Sequence, residues 1–471
     1  MEQHNAPLFN ALVDHVGRYA AYFHVPGHKQ GKFFDKSGRP FYYDLLTLDL
    51  TEVGDLDDLH EPTGVIKEAQ SLAARAFKAT QTWFLVGGST VGNLALIKTV
   101  CEPGDEIVVQ RNSHKSVFNG CILAGARPIY VQPEFNEASS VYTGISIDKL
   151  RSILLRHPHV KAVFLTNPNY YGMSQPIAEL AAVCRQFDVP LLVDEAHGAH
   201  FSIHPKLPRS AITCGATAVV QSTHKMLPAM TMGAMVHAHG TPAFREKLQT
   251  VLAMLQSSSP SYPLMASLDL ARKYVATRAY DDVEKSLPVL ASLRKELSTR
   301  AGWHALSPGD PYKIILQRDG WSGYAIETGL AAEGVALELS DNRNGLAVMP
   351  LGTTDAECEA LIVAVDQWSA KARVKINSDE HVPRLYLTDS SAHIPLSELM
   401  VTEGEWCSLK QVAGRVAKRM VLPYPPGIPI VLPGEPYTRR TIESIQALLQ
   451  YGVRFQGIQV TTSNAYVEVV K

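Results

Sequence analysis

The segments PLLVDEAHGAH at 190–200 and AVVQSTHK at 218–225 share one layout, a short apolar run that breaks into polar residues. A run apolar at nearly every position suits a strand whose two faces are both covered. The same layout recurs upstream, in TWFLV at 82–86, DEIVVQ at 105–110, PIYVQ at 128–132 and AVFLT at 162–166. Helical patterns separate these runs, so the spacing predicts an α/β fold with a mostly parallel sheet and helices on both faces. Ligands of open α/β sheets gather outside strand carboxyl ends, and the chemistry is expected just after these runs.

Downstream, 262–300 reads as a long amphipathic helix beginning at YPLMASLDLARKYVATRAY. The stretch 311–370 holds strand-like KIILQ and LAVMP with helical ETGLAAEG and DAECEALIVAVDQWSAKA, a smaller α/β domain. The pattern breaks near KINSDEHVPR at 375–384, and the prolines of VLPYPPGIPIVLPGEPYT at 421–438 forbid regular helix or central strand. The expected division is an N-terminal segment at 1–45, a cofactor-binding large domain at 46–260, a small α/β domain at 261–374 and a C-terminal domain at 375–471.

With 471 residues the chain exceeds one compact core, and 44 Lys+Arg against 46 Asp+Glu leave its charge nearly balanced. Runs of like charge are absent, which argues against nucleic acid as a partner and for small-molecule chemistry. Six cysteines at 101, 121, 184, 214, 358 and 407 form no C-x-x-C pair, as expected of reduced thiols in a cytoplasmic protein. MEQHNAPLFNALVDHV is no signal peptide, and no stretch reaches membrane-spanning length.

Gly87-Gly88-Ser89-Thr90 follows TWFLV and opens the helical run VGNLALIKTV. Backbone N–H groups and hydroxyls at a helix N-terminus make an anion site, so this is a candidate phosphate cradle. It lacks the lysine of a nucleoside-triphosphate loop, and a plain strand-to-helix turn is the competing reading. Asp194 ends the next decisive strand. An acid there can pair with the pyridinium nitrogen of pyridoxal 5′-phosphate (PLP), keeping the ring an electron sink. The same DEAH string occurs in helicase ATPases, and His197 and His200 could bind a metal with a carboxylate, but no phosphate-loop lysine and no further ligand cluster support either. Lys225, in Ser222-Thr223-His224-Lys225, lies at a strand end beside apolar Met226-Leu227, where desolvation frees the amine for a Schiff base with the cofactor. His114, in RNSHKS after DEIVVQ, is placed in the chain to cover the ring.

These segments together resemble the Orn/Lys/Arg decarboxylases of fold type I. FHVPGHKQG at 23–31, LDDLHEPTGVIKEAQ at 56–70, TNPNYYG at 166–172, LQSSSPSYPLMASLD at 255–269 and YPPGIPIVLPGE at 424–435 extend the resemblance over essentially the whole chain. Because the chain starts directly at the FHVPGHK segment, it is similar to the short members without an N-terminal wing domain, and a decamer built through that wing is not expected. The resemblance implies a PLP-dependent transferase-like large domain and decarboxylation of lysine, arginine or ornithine toward polyamine biosynthesis. It implies that Gly88, Ser89, Thr90, Ser222 and His224 serve the phosphate, His114 stacks on the ring, Asp194 binds the ring nitrogen, His197 lies near the phenolic oxygen and Lys225 carries the imine. It further implies that Ser257 to Ser259, Ser258 among them, reach the phosphate of a neighbouring subunit, in a homodimer or dimer of dimers.

Two positions depart from the pattern. Met232 stands where several arginine decarboxylases carry glutamine, and the cradle reads Gly-Gly-Ser-Thr rather than Gly-Thr-Ser or Gly-Thr-Thr. A cationic substrate side chain needs a carboxylate, because burying it unpaired is costly; Glu435, Glu338 and Asp341 are the candidates. An aminotransferase, another PLP lyase, or a non-catalytic regulatory homologue are the rival readings. No metal is expected.

Overall fold

The computed structural model describes residues 2–372, 396–399, 401–424, 427–461 and 464–471. The expected break at 375–384 and Pro425-Pro426 of the proline-rich tail lie outside them. The chain forms two compact units, Met1–Val100 with Pro190–Val283, and Cys101–Val189 with Glu284–Lys471.

In the first unit, the strands Gln81–Leu85, Ala234–Ala238, Ala218–Gln221 and Leu191–Asp194 lie side by side in that order. Leu191–Asp194 runs parallel to Ala218–Gln221, with Asp194 opposite Val220. The expected strands are present here. Ala234–Ala238, an antiparallel strand, is additional, and its five residues are all buried. Full burial explains the apolar runs, since helices Val65–Ala76, Gly88–Val100 and Tyr262–Thr277 carry the apolar side chains that cover such strands. Asp57, from the LDDLHEPTG segment, caps the helix Val65–Ala76. Its carboxylate accepts from the N–H groups of Thr63 at 2.9 Å, Gly64 at 2.8 Å and Ile66 at 3.0 Å. The N-terminal segment is tied down by the buried pair Asp269 and Arg272. Asp269 accepts from Leu8 N–H at 3.0 Å, and Arg272 donates to the carbonyls of Gln3 at 2.8 Å and Asn5 at 2.7 Å.

The long helix expected over 262–300 is two helices, Tyr262–Thr277 and Ala279–Leu297. Arg278 leaves the helical region, with φ −136°. A continuous apolar periodicity does not reveal a one-residue break of this kind.

In the second unit, Ala162–Thr166, Glu106–Gln110 and Arg127–Val131 form a parallel three-strand array. Trp303–Leu306, Lys313–Arg318, Gly345–Val348 and Leu339–Ser340 form an antiparallel sheet, and helices Gly323–Ala332 and Asp355–Lys371 belong to the same α/β layer. A capping box between Thr354 and Glu357 starts the second of these helices. Near the C-terminus, Gly404–Ser408, Ala465–Val470 and Ile458–Val460 pair antiparallel, and helix Arg439–Gln450 supplies Ile442, Ile445 and Leu448 to a core with Val467 and Val469. The described part of the proline-rich tail forms only the two-residue strand Leu422–Pro423, while Ile430, Val431 and Leu432 are fully buried.

Candidate active site

Three strand ends of the first unit carry the candidate groups. After Gln81–Leu85 the chain turns through Gly87 into the helix Gly88–Val100, and Gly88 has φ +73°, a conformation costly for a residue with a side chain. Gly92 lets this helix approach the sheet, since a side chain there would come within 2.8 Å of Leu85 and Val220. Close packing brings the helix N-terminus to the strand ends. There Ser222 Oγ donates to Ser89 Oγ at 2.7 Å, pairing two hydroxyls beside the N–H groups of the first helical turn. Thr90 is exposed in that turn.

Asp194 is buried and held on both oxygens. Asn93 Nδ2 donates to Oδ2 at 2.8 Å and Ala196 N–H to Oδ1 at 3.0 Å. Asn93 was not anticipated; its only signal is a polar residue inside the apolar run VGNLALI, one turn beyond the cradle. Lys225 Nζ lies 2.9 Å from His197 Nε2. His224 Nδ1 is 3.0 Å from the Gly233 carbonyl, and burial pushes its pKa down, so the imidazole is neutral and Nδ1 donates. Met232, one of the two departures, has φ +75° and is half exposed.

A paired-hydroxyl cradle at a helix N-terminus, an acid whose oxygens are fixed, and an amine at a strand end are the groups that PLP requires for its phosphate, its ring nitrogen and its aldehyde. The residues of the first unit fit PLP. Ser89, Ser222 and the first-turn N–H groups would hold the phosphate, Asp194 the nitrogen, and Lys225 the aldehyde carbon.

In the second unit, His114 is the N-cap of helix Lys115–Ala124, and its Nδ1 accepts from Ser116 N–H at 3.3 Å. That bond orients the ring and leaves the proton on Nε2. Gly427 packs against it; a side chain there would meet the His114 and Tyr424 rings at 3.3 Å.

The three candidate carboxylates for the substrate side chain differ sharply in their surroundings. Glu435 is fully buried and paired with Arg111 at 2.9 Å, and it also accepts from Leu432 N–H at 2.8 Å. Arg111, buried too, donates to the carbonyls of Pro429 at 2.7 Å and Ile430 at 3.1 Å, so this pair braces the proline-rich tail. Asp341 takes the Tyr171 hydroxyl, Arg343 N–H at 2.7 Å and Asn344 Nδ2 at 2.8 Å, and burial raises its pKa. Glu338 is exposed and accepts from Tyr170 Oη at 2.8 Å. A fourth acid, Glu327, lines a cleft of about 550 Å³ with Tyr324, Ser340, Tyr424 and Arg454. Sequence reasoning missed it, because a glutamate on a helix carries no sign that it faces a cleft.

Comparison with known proteins agrees with this chemistry. Residues 6–318 match the family described as Orn/Lys/Arg decarboxylase, major domain, and residues 379–469 match its C-terminal domain. The chain belongs to the Orn/Lys/Arg decarboxylase family. It is therefore a PLP-dependent carboxy-lyase of basic amino acids. An arginine decarboxylase of Bacillus anthracis is 35% identical over 97% of this chain and 96% of its own length. The uncharacterized protein YaaO of Bacillus subtilis is 38% identical over 96% of each. Among solved structures, the lysine decarboxylase LdcF of Francisella novicida superposes with TM-score 0.85 at 21% identity, covering 99% of this chain and 81% of its own, which shows the shared fold. The expected α/β, fold type I architecture with a C-terminal domain is borne out.

Proposed function

We propose that this decarboxylase acts on arginine, with Lys225 as the point of cofactor attachment. The observation that carries the site is the Lys225–His197 contact of 2.9 Å at the strand end beside the Ser89–Ser222 pair. For arginine, the support is likeness to proteins named arginine decarboxylases at 35% and 34% identity, against 26% for a lysine decarboxylase of Pseudomonas aeruginosa.

When bound, PLP supplies an electron sink for the charge left at the α-carbon as carbon dioxide departs. The chain's own residues set up that event. The Asp194 carboxylate, immobilised by Asn93 and Ala196 N–H, accepts the ring N–H. His197 Nε2 can take a proton from the Lys225 ammonium, giving the neutral amine that attachment requires. Gly88, Ser89, Thr90, Ser222 and His224 hold the phosphate, a charge that favours the protonated form of His224. His114 keeps the role implied by the family resemblance, covering the ring face. For the substrate side chain, Glu338 and Asp341 remain candidates and Glu327 joins them, since a planar guanidinium pairs with a carboxylate while stacking on aromatic rings such as Tyr324 and Tyr424. Glu435 is the weakest of the set, because its charge is already matched by Arg111.

A homodimer is the proposed assembly, alone or paired into a dimer of dimers. The N-terminal segment exposes Phe23 at 93%, Phe33 at 79% and Phe41 at 86%, an apolar surface that a second copy would cover. Ser257, Ser258 and Ser259 are exposed, as residues serving a neighbour's phosphate must be. We retain the division at 45, 260 and 374, and infer a cytoplasmic enzyme from six cysteines of which none is in a disulfide; a role in polyamine biosynthesis rests on the family resemblance. Among the described residues no helix is long and apolar enough to cross a membrane.

Incubation of the loaded enzyme with arginine, lysine and ornithine, with carbon dioxide and amine both measured, tests this reading. Stoichiometric release from arginine at the highest kcat/KM is expected. Preference for lysine or ornithine would overturn the arginine assignment.

A further inference from the structure

A chain of hydrogen bonds crosses the four buried strands of the first unit, just behind the ends that carry Asp194 and Lys225. Thr82 Oγ1, on Gln81–Leu85, lies 2.8 Å from His237 Nδ1, on Ala234–Ala238. His237 Nε2 lies 3.1 Å from Gln221 Oε1, and Gln221 Nε2 donates to Glu195 Oε2 at 2.7 Å. Because the Gln221 amide nitrogen is spent on a carboxylate, its oxygen must accept, so His237 carries its proton on Nε2 and takes the Thr82 proton at Nδ1. Every donor in the chain therefore points toward Glu195.

Glu195 is completely buried and has two further donors, Ser210 Oγ at 2.7 Å and Ala211 N–H at 2.6 Å. His237 is buried as well and stacks on Phe77 with centroids 4.6 Å apart. Burying a carboxylate is expensive even when it is fully hydrogen-bonded, and a leucine would fill the core more cheaply. The placement explains the expense. Asp194 and Glu195 are consecutive, one held by Asn93 and the other by Gln221. Gln221 in turn closes the strand that runs directly into Ser222 and Lys225.

We propose that Glu195 is a positioning residue for the cofactor. Through Gln221, the last link of the one-way donor chain from Thr82, it locks the turn bearing Asp194 to the strand end bearing Lys225. This rests on the assignment of Asp194 and Lys225 as cofactor contacts.

The test uses the full chain with PLP and the variants Glu195→Gln and Thr82→Val. Three quantities are read: the Kd for PLP, the visible absorption spectrum of the loaded chain, and the Tm of the chain without cofactor. Glu195→Gln should weaken PLP binding about 10-fold or more and change the proportions of the absorption bands; Thr82→Val should move both the same way, with about 2- to 10-fold weaker binding. A lowered Tm with unchanged Kd and spectrum would overturn the proposal. If Glu195→Gln does not fold, Thr82→Val decides by the same criterion, since it removes only the far end of the chain. A Lys225→Ala control keeps the two ideas apart. If that variant still holds PLP in a covalent, reducible adduct, the attachment assignment fails, whatever the other variants do.

Discussion

The Lys225 amine and the His197 imidazole lie 2.9 Å apart, Nζ to Nε2, on two turns that follow neighbouring parallel strands. The contact gives the lysine a proton acceptor at the place where it must become neutral. Lys225→Ala should abolish the adduct trapped by borohydride reduction and lower turnover by about 10²- to 10⁴-fold. His197→Ala should keep the adduct but slow its formation, measured by stopped-flow absorbance after PLP is added to the cofactor-free chain.

The paired hydroxyls of Ser89 and Ser222 are expected to meet a dianionic phosphate. Hydrogen bonds to charged groups contribute about 1.5–3 kcal/mol, so Ser89→Ala or Ser222→Ala should weaken PLP binding roughly 10- to 100-fold with little loss of secondary structure. Equilibrium dialysis against PLP measures this. Unchanged affinity in both variants would make the Gly87–Thr90 turn a structural one.

Arg111 and Glu435 make an ion pair in which neither side chain is exposed. Removing one member of such a pair leaves an uncompensated charge, at a cost of about 3–5 kcal/mol. Glu435→Ala should therefore lower the urea midpoint strongly while the rank order of arginine, lysine and ornithine stays as in the parent. A variant of parental stability whose KM rises for one substrate alone would instead give Glu435 the substrate contact.

Stability should respond to pH through two groups of the four-strand chain. Burial pushes the Glu195 pKa up to about 7 from 4.5, with nearby Asp194 adding to the rise, and pushes the His237 pKa down to about 3 from 6.5. Between 4.5 and 7 the folded chain binds the extra proton at Glu195, so that group's contribution falls as pH rises. Between 3 and 6.5 the unfolded chain binds the extra proton at the histidine, so the His237 contribution grows as pH rises. The two slopes oppose each other between 4.5 and 6.5. Glu195→Gln removes the falling limb, and urea unfolding of the cofactor-free variant should show stability climbing more steeply than the parent's over that interval.

Much of the fold is legible in the sequence. The strand runs are contiguous and apolar on both faces, a pattern that survives in one dimension, and AVFLT was placed residue for residue at 162–166. The candidate groups at the strand ends can be named from the sequence for the same reason: the Gly-Gly-Ser-Thr turn, Asp194 and Lys225 each sit in a short local motif. The break at Arg278 was not, because one residue leaving the helical region hardly disturbs an amphipathic pattern.

The sequence by itself determined which residues could hold a cofactor, since chemistry of that kind is set by residue type and by position after a strand. Only the tertiary structure decided what those residues rest on. Asn93 meets Asp194 across 101 positions, Thr82 meets His237 across 155, and Arg111 meets Glu435 across 324. No local pattern encodes such pairings, because each depends on distant segments being brought together by the burial of apolar surface. That is why Glu435 stands among the candidate substrate carboxylates in the sequence and is one half of a buried ion pair in the fold.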